Sequence, residues 1–261
     1  MKKLGFIGMG NMAKAIAAGF IRAEKLKGDE VYAYAPHQDK LRKNAENIGF
    51  IPCASLQELL AAADTIVMAC KPYQIEGVLA ECKEALKGKA LLSIAAGWDY
   101  ARYAPLVDES TRVQFIMPNT PSMVGEGVLL FEETSSLNPD EKEEIKALFS
   151  TLGLVEEIPT HFMSIAGTLT GCGPAFLDLV IEALGDAGVK YGVPRAQAYA
   201  LVSKMILGSG KLQLETGEHP GVLKDNVCSP AGTTIRGVNA LERAGLRAAF
   251  LDAIDAIMQM D

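Results

Sequence analysis

Residues Leu4 to Ala13 read LGFIGMGNMA. Leu4–Ile7 is an apolar run of strand length, and Asn11–Arg22 then takes up helical spacing. Between them, Gly8-Met9-Gly10-Asn11-Met12-Ala13 fits G-x-G-x-x-G/A. In that pattern the first glycine makes the tight turn, the second lets a pyrophosphate approach the backbone, and the last small residue lets helix and strand pack closely. The pattern alone is weak. Between a strand and a helix it predicts a dinucleotide-binding unit, and a plain strand–helix turn is the competing reading.

The alternation continues outward. Val31–Tyr34 is β-prone, Lys40–Ile48 is helical, and Ser55-Leu56-Gln57-Glu58 is a capping box that opens a helix to Ala63. Thr65–Ala69, Ala90–Ile94 and Val113–Met117 read as buried strands, with Val128–Phe131 adding another. Asn138-Pro139-Asp140-Glu141 starts a helix that stops at Gly153, and Leu154–Ile158 reads as a last strand. Continuous apolar strands alternating with helices predict a parallel sheet covered on both faces. After Pro159 the strand signals fade. Helices are predicted over His161–Thr170, Ala175–Ala187, Pro194–Leu214, Gly232–Arg243 and Leu246–Met260, with a break at Gly171–Pro174. The expected fold class is α/β: an N-terminal Rossmann-type doubly wound sheet over residues 1–159 and an all-α domain over residues 160–261.

Composition narrows the function. The 261 residues are 49% hydrophobic and 22% charged, with net charge −7. A packed core is expected, and the basic footprint of a nucleic-acid binder is missing. The five cysteines are odd in number and form no C-x-x-C pair. This argues for no disulfide framework, no metal site and a reducing, cytoplasmic setting. The start MKKLGFIGMG resembles a signal peptide until Asn11 and Lys14 interrupt it. No run approaches the roughly 18 unbroken apolar residues of a membrane span, so no membrane association is expected. His37, His161 and His219 are scattered, which fits neither a metal site nor a charge relay.

Ligands of open α/β sheets sit at strand carboxyl ends. Tyr34-Ala35-Pro36-His37 carries no acid for the ribose hydroxyls, and His37, Lys40, Arg42 and Lys43 follow it. That pattern leans to NADP(H), with a solvated basic helix face as the alternative. Cys70-Lys71-Pro72, Ala95-Ala96-Gly97 and Met117-Pro118-Asn119-Thr120-Pro121 each follow a strand and together suggest a cofactor floor. The expected cofactor contacts are therefore Gly8, Met9, Gly10, Asn11, Met12, Ala35, His37, Cys70, Lys71, Pro72, Ala96, Gly97 and Asn119.

In the helical half, Ser229-Pro230-Ala231-Gly232-Thr233-Thr234 is a hydroxyl-rich turn that opens an amphipathic helix. Free N–H groups and the positive dipole end suit a carboxylate there. The turn holds no strong acid or base, so its chemistry must ask little proton-transfer power of the protein. Thr170–Phe176 reads as a structural helix break. Cys172 and Cys228, without a histidine partner evident in the sequence, read as incidental thiols.

Taken together, these motifs resemble the pyrroline-5-carboxylate reductase family over essentially the full length. The resemblance rests on Gly8–Ala13, Cys70-Lys71-Pro72, Met117–Pro121, Gly171–Ala175 and His219-Pro220-Gly221. Its most specific part is Ser229–Thr234, continuing through Gly237-Val238 to Leu241-Glu242. It implies reduction of the cyclic imine 1-pyrroline-5-carboxylate to proline by NAD(P)H; the preference for NADPH rests on the basic residues after Tyr34, with NADH possible. It also implies a helical domain that forms a homodimer, assembling further to a decamer. The sequence departs from the family where Cys172 replaces Ser, Cys228 replaces Thr or Ser, and Ala231 replaces the usual Gly. The asparagine often found near Leu56 is missing as well.

An imine can be reduced as an iminium ion, so positioning carries much of the task. Thr234 is expected to hydrogen-bond the ring nitrogen, with Thr233 as its nearest rival. Ser229, Ala231, Gly232 and Thr233 are expected to line the carboxylate. The alternatives are a related imine or 3-hydroxyacid oxidoreductase, the latter needing a lysine such as Lys190, Lys204, Lys211 or Lys224, and a non-catalytic NADP-binding regulator.

Overall fold

The structure is a computed structural model that describes residues 3–259. The predicted end of the last helix at Met260 lies outside them. The chain divides into two compact units, Met1–Gly171 and Cys172–Asp261, further along than the change of periodicity at residues 159–160.

The first unit is built on β1 (Leu4–Ile7), α1 (Asn11–Arg22), β2 (Val31–Tyr34), α2 (Gln38–Ile48), β3 (Ile51–Pro52), α3 (Leu56–Ala62) and β4 (Thr65–Met68). It continues with α4 (Ile75–Cys82), β5 (Ala90–Ser93), α5 (Tyr100–Tyr103), β6 (Arg112–Met117), β7 (Gly127–Ser135), α6 (Pro139–Phe149) and β8 (Gly153–Ile158). The strand order is β3-β2-β1-β4-β5-β6-β7-β8. The first six strands pair in parallel, β7 runs antiparallel to β6, and β8 is parallel to β7. The chain leaves β1 toward β2 on one side and returns to β4 on the other, so the order reverses between β1 and β4.

Each central strand alternates its side chains between two covered faces. Leu4, Phe6 and Val67 join Ile16, Phe20, Leu41, Ile145 and Phe149 in one core. Ile7, Ile66 and Met68 join Leu59, Ile75, Leu79 and Tyr103 in the other. Phe149 links three elements of the first core. Its ring meets Phe20 edge-on at 5.1 Å and Phe131 at 5.7 Å.

Two local expectations change. The Ser55 hydroxyl accepts from the Glu58 N–H (3.1 Å), but the Glu58 carboxylate reaches past Ser55 to the Ala54 N–H (2.7 Å). β3 was not anticipated, because Pro52 breaks a strand pattern, and a sheet edge is where a proline is tolerated.

The expected break at Gly171–Pro174 is instead a π turn, Thr168–Cys172, between α7 (Met163–Gly167) and α8 (Gly173–Lys190). One extra residue in the turn lets the helical path continue, and Pro174 falls in the first turn of α8, where its missing N–H costs nothing. Within the first unit, Met163 packs against Phe115 and Leu130. The run Thr160–Lys190 is long and apolar enough, by length and composition alone, to cross a membrane. A count of unbroken apolar residues misses this, because Gly, Thr and single acids such as Asp178 interrupt the run without making it polar on average.

The second unit holds α8, α9 (Arg195–Thr216), α10 (Pro220–Asn226), α11 (Thr233–Arg243) and α12 (Leu246–Met258). α10 was not anticipated as a helix; His219 caps it through Nδ1, which accepts from the Gly221 N–H (3.0 Å), and Pro220 takes its first position. α8 and α9 approach closely at Gly185, over which Tyr199 lies, and at Gly188 beside Ala198. Among the described residues of this unit, only Gly185 and Ala198 are buried. Leu201, Met205 and Leu212 are exposed on one side of α9, Leu207 and Leu214 on another. A helix that is apolar on several sides needs covering.

Phe149→Ala is expected to destabilise the first unit by about 3–5 kcal/mol, the range for removing a fully buried aromatic ring. Thermal unfolding followed by circular dichroism measures it, and a loss under about 1 kcal/mol would contradict the bridging role.

Candidate functional site

In the first unit a cavity of about 710 Å³ opens at the carboxyl ends of β1, β2, β4 and β5, where the strand order reverses. Gly8 turns out of β1 with φ +94°, and its N–H donates to the Tyr34 carbonyl (2.8 Å). A Cβ at Gly8 would lie 2.9 Å from the Ala69 backbone, so no larger residue fits. A Cβ at Gly10 would meet nothing within 4 Å. Gly10 is also the N-cap of α1, with no side-chain cap and no acid in the first turn. The helix therefore presents free N–H donors and its positive end to an open cradle that a side chain would fill. This is the fit a pyrophosphate requires.

Met9, Asn11, Met12, Ala35, His37, Cys70, Lys71, Pro72 and Ala96 line the same cavity with Gly8 and Gly10. Of the basic residues after β2, His37 and Lys40 reach it, whereas Arg42 and Lys43 are not among its lining residues. Sequence reasoning missed Asn44, one helical turn beyond Lys40, for which i, i+4 spacing was the available signal. It also missed Gln38. The Gln38 amide donates to the Ala35 (3.0 Å) and Cys53 (3.2 Å) carbonyls, tying the end of β2 to the chain after β3. The Cys70 thiol lies 3.4 Å from the Met68 sulfur, and burial pushes its pKa up.

Two expected residues sit apart from the cavity lining. Gly97 takes φ +73°, and its carbonyl accepts from Arg102 Nη1 (2.5 Å). Asn119 is buried; its Oδ1 accepts from the Val128 N–H (2.9 Å), and its Nδ2 donates to the Thr170 carbonyl (3.0 Å).

The second cluster lies wholly in the second unit. The Ser229 carbonyl accepts from the Gly232 N–H (3.0 Å), closing a four-residue turn with Pro230 second and Ala231 third. Ala231 adopts φ +58°. Proline second and a positive φ third is the pattern of a type II turn, in which glycine normally takes the third place. Gly232 is the extended N-cap of α11, again with no side-chain cap and no acid in the first turn. A Cβ there would lie 2.3 Å from Ser229 Oγ, so the serine hydroxyl stands over the helix start. Ser229, Thr233 and Thr234 are exposed. The turn thus gathers backbone donors and three hydroxyls in a place fit for a small anion.

Three of the four lysines that a hydroxyacid reading could use are engaged at separate places. Lys190 lies over the Tyr191 ring (5.6 Å), Lys211 pairs with Glu215 (3.5 Å) and Lys224 pairs with Asp225. Among the described residues no group of three or more His, Cys, Asp or Glu could hold a metal ion.

A doubly wound dinucleotide-type sheet followed by an apolar helical module defines a two-unit oxidoreductase fold. Residues 3–97 match the family described as NADP oxidoreductase, coenzyme F420-dependent. Residues 160–261 match pyrroline-5-carboxylate reductase dimerisation. The chain is 43% identical to the pyrroline-5-carboxylate reductase of Treponema pallidum, covering 98% of each chain. It is 38% identical to that of Escherichia coli, covering 99% of this chain and 96% of the relative. The crystal structure of Plasmodium falciparum pyrroline carboxylate reductase with NADP bound superposes with a TM-score of 0.89 at 33% identity, over 99% of this chain and 96% of that one. The chain belongs to the pyrroline-5-carboxylate reductase family.

Ala231→Gly is expected to stabilise the protein by about 0.5–1 kcal/mol. Relief of roughly 1–2 kcal/mol of left-handed strain outweighs the added freedom of the unfolded chain. Thermal unfolding at fixed protein concentration measures it, and a lower Tm would contradict strain at Ala231.

Proposed function

We propose that this protein reduces 1-pyrroline-5-carboxylate to L-proline with NADPH, the last step of proline biosynthesis, as an oxidoreductase acting on a CH–NH group. The observation that carries the reading is the acid-free, hydroxyl-bearing start of α11. A carbonyl reduction calls for a strong proton donor at the developing alkoxide. A protonated imine already carries its proton on nitrogen and asks mainly to be held. The chain's family and its bare N-terminus at α1 support the dinucleotide half of the reading.

The roles follow from chemistry. The N–H groups at the start of α11, with Ser229, Ala231, Gly232 and Thr233, bind the substrate carboxylate. The hydroxyl of Thr234 hydrogen-bonds the ring nitrogen and orients the ring. A threonine hydroxyl titrates far too high to act as a free base, so its role is orientation and proton relay. The dinucleotide, when bound, supplies the hydride that the imine carbon accepts. Gly8, Met9, Gly10, Asn11 and Met12 would hold its pyrophosphate. Cys70, Lys71, Pro72 and Ala96 would border its nicotinamide half, with Gly97 and Asn119 shaping the loops behind them. Ala35 and His37, with Lys40 and Asn44 beside them, would face the adenosine end. A cationic Lys40 and an end of β2 without an acid favour NADPH over NADH.

The exposed leucines and methionines of residues 160–261 are read as the face covered by a second copy of the chain, with further assembly of dimers to a decamer. The same face accounts for the apolar run Thr160–Lys190 without a membrane, and a cytoplasmic location with no nucleic-acid partner completes the reading.

The direct test is oxidation of NADPH by the purified protein with pyrroline-5-carboxylate, beside the six-membered analogue; no oxidation with either imine would overturn the reading. Thr234→Ala is expected to lower kcat about 10- to 100-fold, equivalent to one hydrogen bond to a charged group, and to leave NADPH affinity unchanged. Thr234→Ser should retain more activity, and equal activity in both variants would shift the role to Thr233. Lys40→Met is expected to weaken NADPH binding about tenfold while leaving NADH binding unaltered; a parallel loss with both dinucleotides would exclude a 2′-phosphate contact.

A further inference from the structure

β7 carries a carboxylate where a buried strand ordinarily places an apolar side chain. Glu132 is 1% exposed. Its Oε2 accepts from the Tyr100 N–H (2.8 Å), and its Oε1 accepts from the Thr160 hydroxyl (2.8 Å). The Thr160 hydroxyl has one hydrogen and gives it to Glu132, so the Thr134 hydroxyl, 2.9 Å away, is the donor to Thr160. The Glu132 backbone is held as well, its carbonyl accepting from Gln114 Nε2 (2.9 Å). Burial raises the Glu132 pKa against the pull of the two donors, and Asp99 adds to the rise. A carboxylate in such a place is costly unless donors converge on it, and the two bonds to Tyr100 and Thr160 supply them.

The two donors belong to segments far apart in the chain. Tyr100 is the first residue of α5, which follows the loop after β5. Ile94, Ala95 and Ala96 of that loop line the dinucleotide cavity. Arg102 holds the loop at the Gly97 carbonyl (2.5 Å), and Trp98 is buried against Tyr103 at 5.2 Å. Thr160 is the residue at which the dimerisation match begins. One side chain therefore holds both Tyr100, at the far end of the loop whose first residues line the cavity, and the head of the dimerisation segment.

We propose that Glu132 is a positioning residue, whose two carboxylate oxygens fasten the loop after β5 to the start of the dimerisation segment and so hold that loop in place for the dinucleotide. This rests on the dinucleotide reading of the cavity. Neither oxygen needs to touch the bound group; Glu132 acts through the backbone of Tyr100 and the loop before it.

The test is calorimetric titration of the whole protein with NADPH, with the emission of Trp98, the chain's one tryptophan, reporting the loop. Glu132→Ala is expected to raise the Kd about tenfold and shift Trp98 emission to the red. Glu132→Gln offers a carbonyl to Tyr100 and an amide donor to Thr160, whose hydroxyl then turns to Thr134. It is expected to bind within about threefold of the wild type. An unchanged Kd in Glu132→Ala beside a lower Tm would make Glu132 a packing residue only and overturn the proposal. So would Glu132→Gln binding as weakly as Glu132→Ala. Should Glu132→Ala not fold, Thr160→Val and Thr160→Ser separate the cases: weaker binding by Val alone supports the coupling, and equal binding by both overturns it. Wild-type protein that fails to bind NADPH would overturn the dinucleotide reading itself, and this proposal with it.

Discussion

A helix cannot satisfy the N–H groups of its own first turn, and in this protein two helices leave theirs open behind an extended glycine. α1 and α11 both begin at an extended glycine, Gly10 at φ −77°, ψ −174° and Gly232 at φ −68°, ψ 172°. Neither has a side-chain cap or an acid in its first turn. At α3, α5, α6 and α10 the side chains of Ser55, Asp99, Asn138 and His219 accept a first-turn N–H instead. Glycine has no side chain to do this, so the donors and the positive dipole end stay available to an anion. Much of the architecture can be understood as holding these two starts. The reversal between β1 and β4 opens a cavity at the first, and the turn from Ser229 forms the second with Ala231 in a left-handed conformation.

The two units differ in how they are held together. The first carries its own core on both faces of the sheet, and Phe20, Phe131 and Phe149 join α1, β7 and α6 within it. The second has almost none, as Gly185 and Ala198 are its only buried positions among the described residues. Isolated helices are marginal in water without tertiary packing. The match of residues 160–261 to a dimerisation family supports oligomerisation, which would cover this apolar surface.

Much of this was legible in the sequence for local reasons. Apolar runs bounded by Gly and Pro locate β1, β2 and β4, and the fingerprint locates α1, because strand and helix periods are properties of neighbouring residues. The resemblance to the family flagged Ala231 as a position where glycine is usual, and the positive φ is there. What was missed involves partners distant in the chain. The π turn at Thr168–Cys172 absorbs what Gly and Pro signal as a break. Gln38 reveals its role only when the end of β2 and the chain after β3 are placed beside it. Asn119 sits after a strand as expected, yet its amide is spent on Val128 and Thr170.

The sequence by itself determined the element order apart from β3 and α10, the doubly wound class, the bare start of α1 and the hydroxyl-rich start of α11. Each depends on residues within a few positions of one another, where steric and hydrogen-bonding preferences act directly. Only the tertiary structure decided which basic residues reach the cavity, what the Asn119 amide binds, and that Glu132 joins residues 32 positions before it and 28 after it. A buried carboxylate is tolerated only where donors converge on it, and convergence is a property of packing that no local pattern records.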